Sequence, residues 1–283
     1  KLNKLHDNRK NPTTFSRIFL FSTTMNSTED YPIGFFDSGI GGTSIWKEVH
    51  ELLPNENTIY LADSKNAPYG DKSKNKIIEY CIKNTEILLN QNAKIIVVAC
   101  NTATTNAIKV LRDRYTIPFI GIEPAIKLAS LVTKTNNIGV LATRGTIQSD
   151  LFEKTSASLK SGIKIIEQVG DGLVDLIEKG ELESKEIEFL LKKYLNPMME
   201  KNIDALVLGC THYPYLIPSI RRIVPKDIKI IDAGFAVAIQ TKKILEKFNI
   251  IQTKENCKTI HKFFSNKDTK VLSKLLNIKK TKN

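Results

Sequence analysis

From Tyr31 onward, short apolar runs alternate with segments whose apolar residues recur at helical spacing. Ile33-Gly34-Phe35-Phe36 predicts a strand ending at Asp37. Residues 42–53 then set Ile45, Trp46, Val49, Leu52 and Leu53 on one helical face, with Pro54 just past the end. Ile59-Tyr60-Leu61 predicts the next strand, and residues 74–90 a helix with Ile78, Cys81, Ile82, Thr85, Leu88 and Leu89 on its apolar face. Ile95-Ile96-Val97-Val98-Ala99 is apolar on both faces, as a central parallel strand should be. Pro118-Phe119-Ile120 continues the alternation.

A second series follows, with strands predicted at 138–141, 163–166, 206–208 and 228–231 and helices between them, including 184–195. Residues 260–264 and 269–276 predict a closing strand and helix. Strands alternating with helices give βαβ units and mostly parallel sheets. A faint duplication runs through the chain. Ile33-Gly34 opens a series that reaches Cys100 after 67 positions, and Ile138-Gly139 one that reaches Cys210 after 72. Around those cysteines, Ile96-Val97-Val98-Ala99-Cys100-Asn101-Thr102 echoes Leu206-Val207-Leu208-Gly209-Cys210-Thr211-His212. The fold class expected is α/β, with two pseudo-symmetric domains of mostly parallel sheet flanked by helices. Their expected bounds are 31–123 plus 233–278 for the first and 124–232 for the second.

Composition narrows the function classes. With 41% apolar and 25% charged residues in 283, the chain has material for a core, which excludes a disordered or collagenous chain. Four cysteines without CxxC spacing argue against a disulfide scaffold or zinc ribbon. The net charge of +12 sits at the ends: residues 1–24 carry +4 and residues 251–283 carry +7, leaving +1 for the body. A nucleic-acid partner is therefore not expected. No apolar run approaches the ~20 residues that span a bilayer, so no membrane partner is expected either. Residues 1–30, basic and Ser/Thr-rich ahead of and around the first methionine, Met25, are expected to form a disordered extension.

In open parallel sheets, ligands bind beyond the carboxyl ends of the strands. Cys100 and Cys210 both fall there, each at a strand-to-helix turn whose dipole favours thiolate. Cys81 and Cys257 read instead as small buried hydrophobes. Two sulfurs at matching ends of two similar halves would face each other across a cleft. One could remove a proton from a carbon while the other returns one to the opposite face. Asn101, Thr102, Thr211 and the helix N-termini would then donate to the carboxylate where charge accumulates. The glycines of Asp37-Ser38-Gly39-Ile40-Gly41-Gly42 would let backbone N–H groups approach an anion. Asp37 could accept from a substrate ammonium, relay a proton, or cap its own helix. Asp63-Ser64 makes a second polar turn. His212, two residues after Cys210, could raise its thiolate fraction or simply satisfy a carbonyl.

Four motifs, Asp37-Ser38-Gly39-Ile40-Gly41-Gly42, Pro68-Tyr69-Gly70, Ala99-Cys100-Asn101-Thr102-Ala103 and Gly209-Cys210-Thr211-His212-Tyr213-Pro214, resemble the signatures of the glutamate racemases, within the aspartate/glutamate racemase superfamily. The resemblance runs from about Ile33 to Leu276. It implies a cofactor-independent and metal-free active site between two α/β domains, with Cys100 and Cys210 as catalytic acid/bases on glutamate. Asp37, His212 and Glu178 match assisting residues. Substrate contacts would fall on Asp37, Ser38, Tyr69, Gly70, Asn101, Thr102, Thr211 and His212. It also implies a cytoplasmic supplier of D-glutamate for peptidoglycan, often a homodimer.

Three other classes compete. A cysteine hydrolase or redox sensor would use a Cys–His pair, but hydrolase bases come from elsewhere in the chain and the second cysteine would be idle. A two-lobed binding module needs no cleft cysteines. Pyridoxal-dependent racemisation needs a Schiff-base lysine, and no lysine here lies in such a context.

Overall fold

The computed structural model describes residues 16–18 (as backbone), 28–254 and 258–276. Ten strands are assigned among them: β1 Ser16–Ile18, β2 Ile33–Asp37, β3 Thr58–Ala62, β4 Ile95–Val98, β5 Phe119–Gly121, β6 Asn137–Ala142, β7 Lys164–Val169, β8 Ala205–Gly209, β9 Lys229–Ile231 and β10 His261–Ser265. The helices are α1 Thr43–Leu52, α2 Lys74–Leu89, α3 Asn101–Arg114, α4 Ile126–Val132, α5 Arg144–Ile147, α6 Asp150–Ala157, α7 Leu173–Glu178, α8 Lys185–Glu200, α9 Ile217–Arg221, α10 Gly234–Lys247 and α11 Lys270–Leu275.

Two sheets result. The first has the order β1-β10-β3-β2-β4-β5, parallel except for β1, and the second is β7-β6-β8-β9, all parallel. In both, the central strands are buried on both faces, which is why their sequences are continuous apolar runs rather than alternations. The strand order reverses between β2 and β4 in one sheet and between β6 and β8 in the other. A crevice opens outside the carboxyl ends at such a switch point. Asp37, Cys100, Thr143 and Cys210 stand at those four strand ends.

Local sequence signals set the helix starts. Ser73, Ser149 and Ser184 cap α2, α6 and α8 by accepting from the backbone N–H three residues on. Helix α8 runs past the predicted 195 to Glu200 and tolerates Pro197 in its last turn.

The expected disorder of residues 1–30 is corrected at two places. Ser16–Ile18 pairs antiparallel with residues 263–265 of β10, supplying partners for backbone groups that β10 would otherwise expose at the sheet edge. Thr28–Asp30 forms a 3-10 turn, tied down by Lys94 Nζ donating to the Glu29 carbonyl (2.6 Å) and Asn57 Nδ2 to the Asp30 carbonyl (2.7 Å). Residues 1–15 and 19–27 lie outside the described residues, as does Cys257. Cys81 is fully buried on α2, and burial pushes its thiol up, in keeping with a packing role.

Candidate active site

Both cysteines line one tight cavity. Cys100 comes from the end of the first sheet's β4 and Cys210 from the end of the second sheet's β8, and each is more than nine-tenths buried. Ser38, Tyr69, Gly70, Asn101 and Thr102 complete one side, and Thr211 and His212 the other. Of the site residues expected from the sequence, all but Asp37 and Glu178 line it. Pro68, Thr143 and Val174 line the cavity as well. Pro68 stood in a quoted motif without a role, whereas Thr143 and Val174 carry no local signal beyond position: the first ends β6 and the second opens α7. A wider opening of about 270 Å³ adjoins it through Pro68, Gly70, Thr143 and Val174.

Cys100 is the N-cap of α3, and its Sγ accepts from the Ala103 N–H at 3.4 Å while facing Ser38 Oγ at 3.7 Å. The expected thiolate-favouring helix contact is thus present, but it does not win. Burial and the charge of Asp37 push the Cys100 thiol well above its ordinary value, against the smaller pull of Ala103 and Ser38. Asp37 itself does not line the cavity. It is fully buried behind Ser38 and accepts from the Gly42 N–H at 2.8 Å. Burial raises its carboxyl, opposed by His212 and by the Gly42 hydrogen bond.

On the other side, Cys210 Sγ lies 3.8 Å from His212 Nδ1. His212 Nε2 lies 2.7 Å from Glu178 Oε1 and 3.2 Å from the Gly41 backbone nitrogen. With its pKa raised, the ring is an imidazolium whose Nε2–H faces the Glu178 carboxylate and whose Nδ1–H faces the Cys210 sulfur. Burial would lower the His212 pKa, but the hydrogen bonds to Cys210 and Glu178 and the charges of Cys210 and Asp37 raise it well above the ordinary value. Glu178 shows the converse. Burial raises it, and the His212 and Ile40 contacts outweigh that and hold it low. Like Asp37, Glu178 stands behind the cavity wall.

The glycine loop has a different use from the one its sequence suggested. Its Ile40 N–H donates at 2.6 Å to Glu178, an anion of the protein's own second half. A Cβ on Gly39 would collide with the Glu178 carboxylate, and one on Gly41 with the His212 ring. The glycines are what allow the His212–Glu178 pair to dock on the first sheet's loop.

The Asn101 side chain is 3% exposed, and neither its Oδ1 nor its Nδ2 has a hydrogen-bond partner in the protein. An amide buried in a cavity wall with neither end paired to protein is available to a ligand or to water in the cavity. Beside it, Thr102 Oγ1 meets Thr143 Oγ1 at 2.7 Å, joining the two sheets across the cavity floor. Among the described residues no group of three or more His, Cys, Asp or Glu could hold a metal ion, and no helix is long and apolar enough to cross a membrane.

The family model for Asp/Glu/hydantoin racemases matches residues 41–241. The chain is 44% identical over 223 residues to a glutamate racemase of Ectopseudomonas mendocina, covering 78% of this chain and 85% of that one. It is 41% identical to one of Pseudomonas putida, covering 87% and 93%. The fold superposes on the crystal structure of a glutamate racemase isoform from Bacillus anthracis with a TM-score of 0.79 (32% identity, 88% and 93% covered). It superposes on that of Francisella tularensis glutamate racemase in complex with D-glutamate with a TM-score of 0.78 (31% identity, 89% and 96% covered).

Proposed function

Since this chain belongs to the Asp/Glu/hydantoin racemase family and is an amino-acid racemase, we propose that it interconverts L- and D-glutamate by passing a proton between two cysteines on opposite faces of Cα. The observation that carries this reading is that Cys100 and Cys210, from different sheets, line one small buried cavity with an unsatisfied amide beside them.

In either direction one sulfur acts as thiolate and takes the Cα proton, and the opposite sulfur acts as thiol and delivers one. The electron pair left on Cα spreads into the α-carboxylate, where Asn101, Thr102 and Thr211 stand ready to donate. Asp37 sets the proton inventory on the Cys100 side. Its buried, raised carboxyl can take a proton from the thiol and return it. On the Cys210 side His212, held protonated against Glu178, stabilises the thiolate and can supply the proton. The reaction so written balances without a cofactor: one proton leaves Cα and one returns, and no bond between heavy atoms changes. The remaining walls, Tyr69-Gly70 and Thr143, would hold the side-chain carboxylate end.

On this reading the chain's partner is a small molecule, and its D-glutamate would enter peptidoglycan synthesis in the cytoplasm. The two lobes of the enzyme would be residues 31–123 with 233–278, and 124–232, closing on the substrate. Chiral analysis of L-glutamate, D-glutamate and L-aspartate incubated with the purified protein tests it. Both glutamate enantiomers should approach an equal mixture. Turnover of aspartate alone would overturn the substrate assignment.

A further inference from the structure

The wall formed by Pro68, Tyr69 and Gly70 belongs to the proposed site, but the group that holds it in place comes from the far end of the chain. Strand β10 lies parallel beside β3, with Ser265 opposite Ala62, so the next residues along, Asn266 and Asp63, meet at the strand ends. Asp63 is 3% exposed. Its carboxylate accepts from the Tyr69 hydroxyl at 2.5 Å, from Asn66 Nδ2 at 2.8 and 3.1 Å, and from Asn266 Nδ2 at 2.5 Å. Asn266 is pinned in turn, because its Oδ1 accepts from the Lys65 N–H at 2.8 Å. Asn84 Nδ2 completes the set by donating to the Tyr69 oxygen at 3.2 Å. Tyr69 is 1% exposed and lines the cavity, its ring stacked on Tyr80 and its hydroxyl directed into this cluster.

We propose that Asn266, acting through Asp63 on the Tyr69 hydroxyl, is a positioning residue that fixes the Pro68-Tyr69-Gly70 wall for substrate. This rests on the racemase reading above. Asn266 lies beyond the 41–241 match to the family model, so the matched region leaves the clamp incomplete. Burial raises the Asp63 carboxyl, and the side-chain donations from Tyr69, Asn66 and Asn266 oppose that rise while holding the tyrosine hydroxyl aimed at it. Loss of one donor would let the carboxylate turn and free the wall, which weakens substrate binding more than the chemical step.

The test is a double-mutant cycle between Asn266→Ala and Tyr69→Phe, with kcat and KM measured in both directions. Asn266→Ala should raise KM by about 3- to 10-fold, the scale of one hydrogen bond, with kcat within about twofold. Because the clamp acts only through the tyrosine hydroxyl, adding Asn266→Ala to Tyr69→Phe should then change KM by less than about twofold. Should Asn266→Ala fold poorly, Asn266→Ser, which keeps a donor at that position, carries the same cycle with a smaller first effect. Independent, multiplicative effects, or an unchanged KM in the single variant of an active wild type, overturn the proposal. A wild-type chain with no glutamate racemisation overturns the preceding reading and this one with it.

Discussion

The imidazole Nε2 of His212 and the carboxylate Oε1 of Glu178, 34 residues apart in sequence, stand 2.7 Å apart, and the Ile40 N–H donates to the same oxygen. The pair couples the second sheet's cysteine to the first sheet's glycine loop. Glu178→Gln keeps a hydrogen-bond acceptor but loses the carboxylate hydrogen bond that helps raise the His212 pKa. His212 should then lose its proton at lower pH, so the alkaline limb of the kcat/KM profile should move downward. At neutral pH kcat should fall by about 10- to 100-fold, toward the lower range for a general acid–base contribution. A pH–rate profile of the variant reads this directly.

Gly41→Ala places a methyl group where the His212 ring now lies. The ring or the loop must shift, and a displacement of about 1 Å at a reacting group costs on the order of 10²-fold in rate. Kinetics together with a thermal melt distinguish this from unfolding, because activity should fall far more than stability.

Lys94 and Glu56 form an ion pair of 2.6 Å whose side chains are 1% and 2% exposed. Glu56 Oε1 also accepts from the Gln252 N–H at 2.8 Å and Lys94 Nζ donates to the Glu29 carbonyl, so the pair ties the segments around Glu29 and Gln252 to the base of the first sheet. Lys94→Met strands a buried carboxylate and should destabilise by about 3–5 kcal/mol. Lys94→Met with Glu56→Leu should recover much of that. Denaturant unfolding of the three proteins checks both statements.

His261 packs edge-on against His50, with ring centres 4.6 Å apart, and its Nδ1 lies 2.9 Å from Thr58 Oγ1. Thr58 already accepts from Trp46 Nε1, so its hydroxyl proton goes to a neutral His261. Burial and the neighbouring His50 depress the His261 pKa to about 4. The unfolded chain therefore binds the proton first. The stability this neutral ring provides is complete above roughly pH 6.5 and is lost as pH falls toward 4. His261→Gln should flatten the acid limb of the stability–pH curve, measured as Tm between pH 7 and 4.

Much of this was readable from residues alone, for stated reasons. Central parallel strands are buried on both faces, so β2, β4, β6 and β8 appear as apolar runs. Cys100 and Cys210 follow from those runs because chemistry gathers at strand ends. The rest depends on contacts that have no local pattern. Nothing near Asp37 tells that it sits behind the wall rather than in it. Nothing in the glycine loop says that its anion is Glu178, 138 residues from Ile40. The depth of burial that keeps Cys100 protonated against its helix N-terminus is likewise a property of packing. The edge strand Ser16–Ile18 escaped because a three-residue strand carries no periodicity to read.

The two-sulfur account is tested most directly by following Cα deuterium in D₂O with Cys100→Ser and Cys210→Ser beside the native chain. Native protein should yield the opposite enantiomer carrying one deuterium at Cα. Each serine variant should form it at least about 10²-fold more slowly. Inverted product without deuterium, or full-speed inversion by either variant, would contradict the account.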